Sequence, residues 1–295
     1  MASPRIVRTP DGRRVGVWEY GSPDGFPVLA FHGNPACGMG FAAAHDAAAR
    51  LGLRLLAPDR PGIGASSPST AWTVRSYALT VDDLVAALGI ERFAVWGYSG
   101  GGPYALACGS LLARKMSAVA ITSGMGEIGV SARSRDFGVV DQAITWLSSR
   151  SPTSARFVLG AAAWGMNALP SAVLLASLPH CQSKEQAEAR SAPDLLTLGK
   201  RTFAEAVRFG AQGMVADYAA LSGRWNLDLG QIQPALLIFH GDQDGVVPVA
   251  HALDLARRVH GARLTIWTGA GHLAPLVRAD EVLSAIRDAT TSARD

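Results

Sequence analysis

Over roughly the first 120 residues, short apolar runs alternate with longer stretches of helical spacing. The runs at 28–31, 54–57, 93–96 and 118–122 are nearly unbroken and stop near glycine, proline or a small polar residue. That is the signature of strands buried on both faces. Between them, 41–51, 74–88 and 103–112 carry the apolar spacing of helices that cover a sheet. Ile6–Val7 and residues 15–20, separated by Asp11-Gly12, predict an antiparallel hairpin at the sheet edge. Strand–helix alternation of this kind predicts an α/β protein with a doubly wound, mostly parallel sheet.

The pattern changes after Gly124. Residues 125–230 offer no convincing strand and are rich in alanine, serine and helix-like spacing. The alternation then resumes, with strands at 235–239 and 264–267 and helices at 249–259 and 280–290. A core of residues 1–124 and 231–295, interrupted by a helical lid at 125–230, accounts for this order better than two independent domains. Within the insertion, 157–179 holds no charged residue, approaching the length that crosses a bilayer. Gly160, Gly165, Asn167 and Pro170 interrupt it, so the expectation is two short buried helices around a pocket and no membrane span.

Composition narrows the picture. With 48% hydrophobic and 17% charged residues in a chain of 295, a large core is affordable and wholesale disorder is excluded. A net charge of +3, from 27 basic and 24 acidic residues without clustering, gives no phosphate-tracking surface, so nucleic acid is not an expected partner. Cys37, Cys108 and Cys181 lie far apart, which fits neither a disulfide framework nor a zinc site. No apolar signal segment opens the chain, and a cytoplasmic location is expected by default. The pattern carries no information on oligomeric state.

Candidate chemistry sits at the ends of the predicted strands. Gly97-Tyr98-Ser99-Gly100-Gly101 follows the 93–96 strand and precedes a helix. A serine nucleophile needs a sharp turn that holds its oxygen clear of the backbone, with small neighbours that let helix and strand pack closely. The helix N-terminus then aims N–H groups, that of Gly100 first, at a developing oxyanion. A glycine-rich phosphate-binding turn is the competing reading, weakened because no lysine stands where such a loop places one.

A serine also needs a base and an orienting acid. Of seven histidines, His272 in Gly269-Ala270-Gly271-His272 follows a strand at the same sheet edge as the turn. His240 is expected to be structural, and His45, His180, His251 and His260 solvated or buried in packing. For the acid, Asp244 lies further out on the loop after the 235–239 strand than Asp242, which is expected to fix the turn. A second oxyanion donor is expected from His32-Gly33-Asn34-Pro35, with the main-chain N–H of Asn34 as the candidate.

Taken together, these motifs resemble the α/β-hydrolase fold superfamily over essentially the whole chain. The resemblance rests on the serine turn, His-Gly-Asn-Pro, Asp59-Arg60-Pro61-Gly62-Ile63-Gly64-Ala65-Ser66, the HGDQDGVVP segment ending at Pro248, and the late Gly-x-Gly-His. It implies Ser99, Asp244 and His272 as triad, Asn34 and Gly100 as oxyanion hole, residues 125–230 as a helical cap, and no metal or organic cofactor. Asp59, Arg60 and Gly62 match a structural turn. Serine at the turn disfavours the dehalogenases and epoxide hydrolases, which carry aspartate there.

The acidic, amine-binding cap of proline iminopeptidase-like relatives is not expected either, because Glu127, Asp136, Asp141, Glu185 and Glu188 show no clustering along the chain. Tyr98, Phe137, Trp146, Trp164 and Met166 are expected to contact a small, largely apolar substrate. The expected reaction is ester or related acyl hydrolysis. Carbon–carbon bond hydrolysis, a lyase or haloperoxidase reaction, or a ligand receptor on the same scaffold are the alternatives.

Overall fold

The computed structural model describes residues 3–69, 72–127, 139–169, 188 and 192–292. Eight strands form one sheet in the order β1-β2-β4-β3-β5-β6-β7-β8. They are β1 (Arg5–Arg8), β2 (Arg14–Gly21), β3 (Phe26–Phe31), β4 (Leu53–Pro58), β5 (Phe93–Tyr98), β6 (Met116–Thr122), β7 (Ala235–Gly241) and β8 (Arg263–Trp267). The hairpin β1–β2 is antiparallel, β2 joins β4 antiparallel, and every other pairing is parallel. Central strands are buried on both faces, as their unbroken apolar runs require: all seven residues of β6 are buried. The edge strand β8 is largely exposed.

Two core clusters lie on opposite faces of the sheet. One face packs against α2 (Val74–Ala87), α3 (Gly102–Leu111) and α8 (Ala250–Arg258) through residues such as Val81, Leu84 and Leu106. The other packs against α1 (His45–Arg50) and α10 (Ala279–Ser292) through Ala48, Val282 and Ile286. The helix expected over 41–51 starts instead as a 3-10 turn, Gly38–Ala44, and becomes α-helical only at His45. No side chain caps its entry at Cys37, and Gly38 lies too close to Ala57 and Trp18 to admit a side chain.

Between β6 and β7 the described residues form helices and no strand: α4 (Val139–Arg150), α5 (Pro152–Ala168), α6 (Pro193–Ala206) and α7 (Gln212–Ser222). A third cluster, including Leu159, Ala163, Phe203 and Met214, packs these helices onto Cys37 and Ile63 of the sheet's own loops. The backbones of Gly213 and Gly62 approach so closely that a Cβ at Gly213 would overlap Gly62. The buried helix expected at the start of 157–179 is buried on one side only: Ala155, Leu159 and Ala163 face inward, while Phe157 and Trp164 face out. Residues 170–179 lie outside the described residues. Among those described, no helix is long and apolar enough to cross a membrane. Cys37 and Cys108 are buried free thiols, and Cys181 lies outside the described residues.

Candidate active site

The chain leaves β3 toward β4 on one side and later places β5 on the other side of β3. The carboxyl ends of β3 and β5 therefore flank a crevice where the direction of winding reverses, the place where open parallel sheets hold ligands. The segment His32–Asn34 follows β3, and Ser99 follows β5.

Ser99 has φ 53°, a left-handed conformation that costs a residue with a Cβ and needs surrounding packing to hold it. Two glycines supply that packing. A Cβ at Gly101 would run into the carbonyl of Phe31, and one at Gly97 would lie 2.6 Å from the carbonyl oxygen of Gly101 and 2.8 Å from Ala105 Cβ. Only glycines let α3 leave the sheet at this angle. Gly33 serves the neighbouring loop, since a Cβ there would sit 3.0 Å from Ser99 Cβ.

Ser99 Oγ lies 3.0 Å from His272 Nε2, and His272 Nδ1 lies 2.8 and 3.0 Å from the two carboxylate oxygens of Asp244. A carboxylate only accepts, so Nδ1 carries the proton and Nε2 presents its lone pair to the serine. Asp244 Oδ1 also accepts from the N–H groups of Val246 (3.0 Å) and Val247 (2.8 Å). Burial pushes its carboxyl up, but the charges and hydrogen bonds of His272 and His240 outweigh that and hold it below the usual carboxylate range. The loops bearing the pair are tied together. Asp242 Oδ1 accepts from Gly269 N–H at 2.6 Å, across to the histidine loop and not within its own turn, and Gln243 N–H donates to Ala270 O.

His240, expected to be structural, buttresses the acid. Its Nε2 faces two acceptors, Val247 O at 2.7 Å and Asp244 Oδ2 at 3.3 Å, so it carries the proton and donates to both. Asp244 is thus held from both sides by imidazoles.

The main-chain nitrogen of Asn34 borders Gly100, 3.5 Å from where a Gly100 Cβ would stand. The two candidate oxyanion donors are therefore adjacent. The loop before Asn34 is fixed by Arg60, a fully buried residue that sequence reading assigned only to a turn. Its guanidinium donates to His32 O, to Gly33 O at 3.2 Å and to Asn34 Oδ1, and forks onto both oxygens of buried Asp217 on α7 at 2.6–2.9 Å. Tyr104 completes the network: its hydroxyl donates to Asp217, and its ring lies beneath the guanidinium at 4.9 Å. With Oδ1 turned to Arg60, Asn34 Nδ2 is buried without a hydrogen-bond partner among the described residues. Asp217 stands 157 residues from Arg60, so no local pattern could pair them.

Ser99 opens into two lobes. The smaller, about 340 Å³, is lined by Met125, Gln142, Trp146 and Leu221 among others. The larger, about 670 Å³, is mostly apolar and is lined by Phe41, Ile144, Leu159, Met166, Leu198 and Phe203 among others. Of the five expected contact residues, Trp146 lines the smaller lobe, and Met166 and Tyr98 line the larger. The Tyr98 hydroxyl donates to His272 O at 3.1 Å, bracing the histidine loop. Trp164 is a correction: it is 75% exposed on the outer face of α5 and lines neither lobe, because helical spacing alone cannot say which way α5 turns. Phe137 lies outside the described residues.

Three acidic side chains of the insertion have separate environments, and Asp136 and Glu185 lie outside the described residues. Asp141 lines both lobes. Glu188 accepts from Gly271 N–H at 2.6 Å and Leu273 N–H at 3.2 Å, on either side of His272. Glu127 accepts from Trp225 N–H at 2.6 Å.

An eight-stranded, mostly parallel sheet with a serine at a strand-to-helix turn defines an α/β enzyme scaffold. The chain belongs to the α/β-hydrolase fold family, whose model matches residues 27–279. Comparison with the curated proteins gives no match. Among solved structures, a thermophilic esterase from Thermogutta terrifontis superposes with TM-score 0.72 at 19% identity, with both chains covered in full (100%). An esterase from Exiguobacterium antarcticum does so at TM-score 0.71 and 20% identity, over 97% of this chain and 99% of that one. An enol-lactonase from Burkholderia xenovorans LB400 gives 0.70 and 20%, over 97% and 100%. At these identities the likeness is one of fold, and a fold alone does not fix a reaction.

Proposed function

We propose that the protein is a serine hydrolase that cleaves an ester or related acyl bond of a small, largely apolar substrate through an acyl-enzyme on Ser99. The observation that carries this reading is the chain of contacts Ser99 Oγ–His272 Nε2–Asp244, opening on a cavity with apolar walls. Residues 1–124 and 231–295 serve as the catalytic core, and 125–230 as a helical cap that bounds the substrate. The esterases and the lactonase of the same fold fit this class of reaction.

In this mechanism Ser99 Oγ attacks the carbonyl carbon while its proton passes to His272 Nε2. The oxyanion is met by the main-chain N–H groups of Asn34 and Gly100, and Asp244 steadies the imidazolium. Collapse breaks the bond to the leaving alcohol, which takes the proton from His272. Water then adds to the acyl-enzyme with His272 again as base, releasing the carboxylic acid and restoring Ser99. None of these steps calls on a metal or organic cofactor.

The test is hydrolysis of short- to medium-chain p-nitrophenyl esters by wild type and Ser99→Ala. Wild type is expected to release p-nitrophenol and the variant to lose about a thousandfold or more in kcat, with unchanged thermal unfolding. Near-equal rates would overturn the mechanism. Folded protein inactive on every ester would shift the reading to carbon–carbon hydrolysis, a specialised lyase or a ligand receptor.

A further inference from the structure

The two lobes meet at Ser99, and among the described residues those lining both are Asn34, Ser99, Asp141, Tyr218 and Val246. Asn34 and Ser99 belong to the proposed machinery and Val246 is apolar. Asp141 and Tyr218 remain, a polar pair beside the nucleophile with no part in acyl transfer. Asp141 sits in the first turn of α4, and Tyr218, itself buried, lies on α7. The Tyr218 hydroxyl donates to Asp141 Oδ1 at 3.3 Å, long for an O–H···O bond.

Tyr218 is the one hydrogen-bond partner of Asp141 among the described residues, and none of their Lys or Arg side chains pairs with it. A carboxylate can accept about four hydrogen bonds, so most of its capacity faces the cavity. Burial pushes this carboxyl up from its ordinary value, while the nearby His272 and the Tyr218 hydroxyl pull it down. A carboxylate withdrawn from water beside only an imidazole and a phenol, with no Lys or Arg paired to it among the described residues, is costly, and a cationic ligand lowers that cost.

We propose that Asp141, steadied by Tyr218, receives an amino group of the substrate carried within an atom or two of the scissile carbonyl. The position follows from the shared lining: a group held there sits at the junction with Ser99, not at the tip of an arm in either lobe. Charge-assisted hydrogen bonds favour an ammonium over a neutral donor. This inference rests on the serine-hydrolase reading and narrows its substrates to amino-substituted acyl esters with apolar side groups. The structural competitor is a carboxylate that only favours the start of α4 through the helix dipole.

A matched pair of substrates separates the two: the 2-naphthyl ester of leucine, as each enantiomer, and the 2-naphthyl ester of 4-methylpentanoic acid, which lacks only the amino group. Wild type is expected to favour one leucine enantiomer over the des-amino ester by on the order of ten- to a hundredfold in kcat/KM. The ratio should collapse toward one in Asp141→Asn and shrink in Tyr218→Phe. Hydrolysis of the des-amino ester by wild type without that preference would overturn the proposal and leave the serine-hydrolase reading standing. So would a ratio that survives Asp141→Asn, or an equal loss on both esters, which would make Asp141 an electrostatic partner of His272. Absence of turnover on both, with Ser99 unreactive to a fluorophosphonate, would remove the serine-hydrolase reading and this inference with it. Should Asp141→Asn not fold, competitive inhibition of wild type by 3-methylbutylamine but not by 3-methylbutanol supports the proposal, and equal inhibition contradicts it.

Discussion

At Asp244 two imidazoles and two main-chain N–H groups converge on one carboxylate, and that convergence fixes the proton arrangement of the site. Asp244 has to stay ionised for His272 to keep its proton on Nδ1 and its lone pair toward Ser99. Asp244→Asn is therefore expected to lower kcat by about three to four orders of magnitude on any ester the wild type cleaves. A stability signature accompanies it. The folded-state carboxyl is held below its unfolded value, so its stabilisation is complete above about pH 4 and is lost as the pH falls further. The unfolding free-energy gap between wild type and Asp244→Asn, read from urea titrations, should narrow as the pH falls below about 4. The three side chains could be picked out of the sequence as candidates because each sits just past an apolar strand, in a short loop of distinctive residues. Asp141 and Tyr218 were not, because nothing local distinguishes an acid or tyrosine that faces a cavity from one that faces water.

At the scale of elements, the strand-to-helix turn at Ser99 and the loop at Asn34 are held by different devices. The turn depends on absent side chains at Gly97 and Gly101, a cue that sequence displays openly. The loop depends on Arg60, whose charge is balanced by Asp217 on α7 and whose remaining donors fix His32, Gly33 and Asn34. Removing one partner of a buried pair leaves an uncompensated charge, so Arg60→Met or Asp217→Leu alone should each cost about 3–5 kcal/mol of unfolding free energy. The double variant should recover much of that loss, because an apolar pair can replace a buried ion pair. Activity should not return with stability, since the double variant still lacks the donors that fix the Asn34 loop. Urea unfolding and ester turnover measured on the same four proteins give the cycle. Full recovery of both would reduce Arg60 to a packing element.

For the whole molecule, the sheet was the readable part. Buried parallel strands leave unbroken apolar runs, and the hairpin at the edge leaves alternation with an Asp-Gly turn. The packing of the helices between β6 and β7 left no comparable trace. Their apolar residues serve two surfaces, one against the sheet's loops and one against solvent, and helical spacing does not say which is which. Trp164 and Phe157 on the outside, against Leu159 and Met166 on the inside, are the result. That packing sets the two lobes beside Ser99, so on the proposed reading substrate choice belongs to this scale and bond cleavage to the residues below it. Whether Ser99 is the nucleophile is read most simply from covalent labelling by a fluorophosphonate, mapped by peptide mass spectrometry. One adduct, on Ser99, is expected in folded wild type, absent or greatly slowed in His272→Ala. An unlabelled Ser99 in folded wild type, or labelling as fast without His272 as with it, would contradict that assignment.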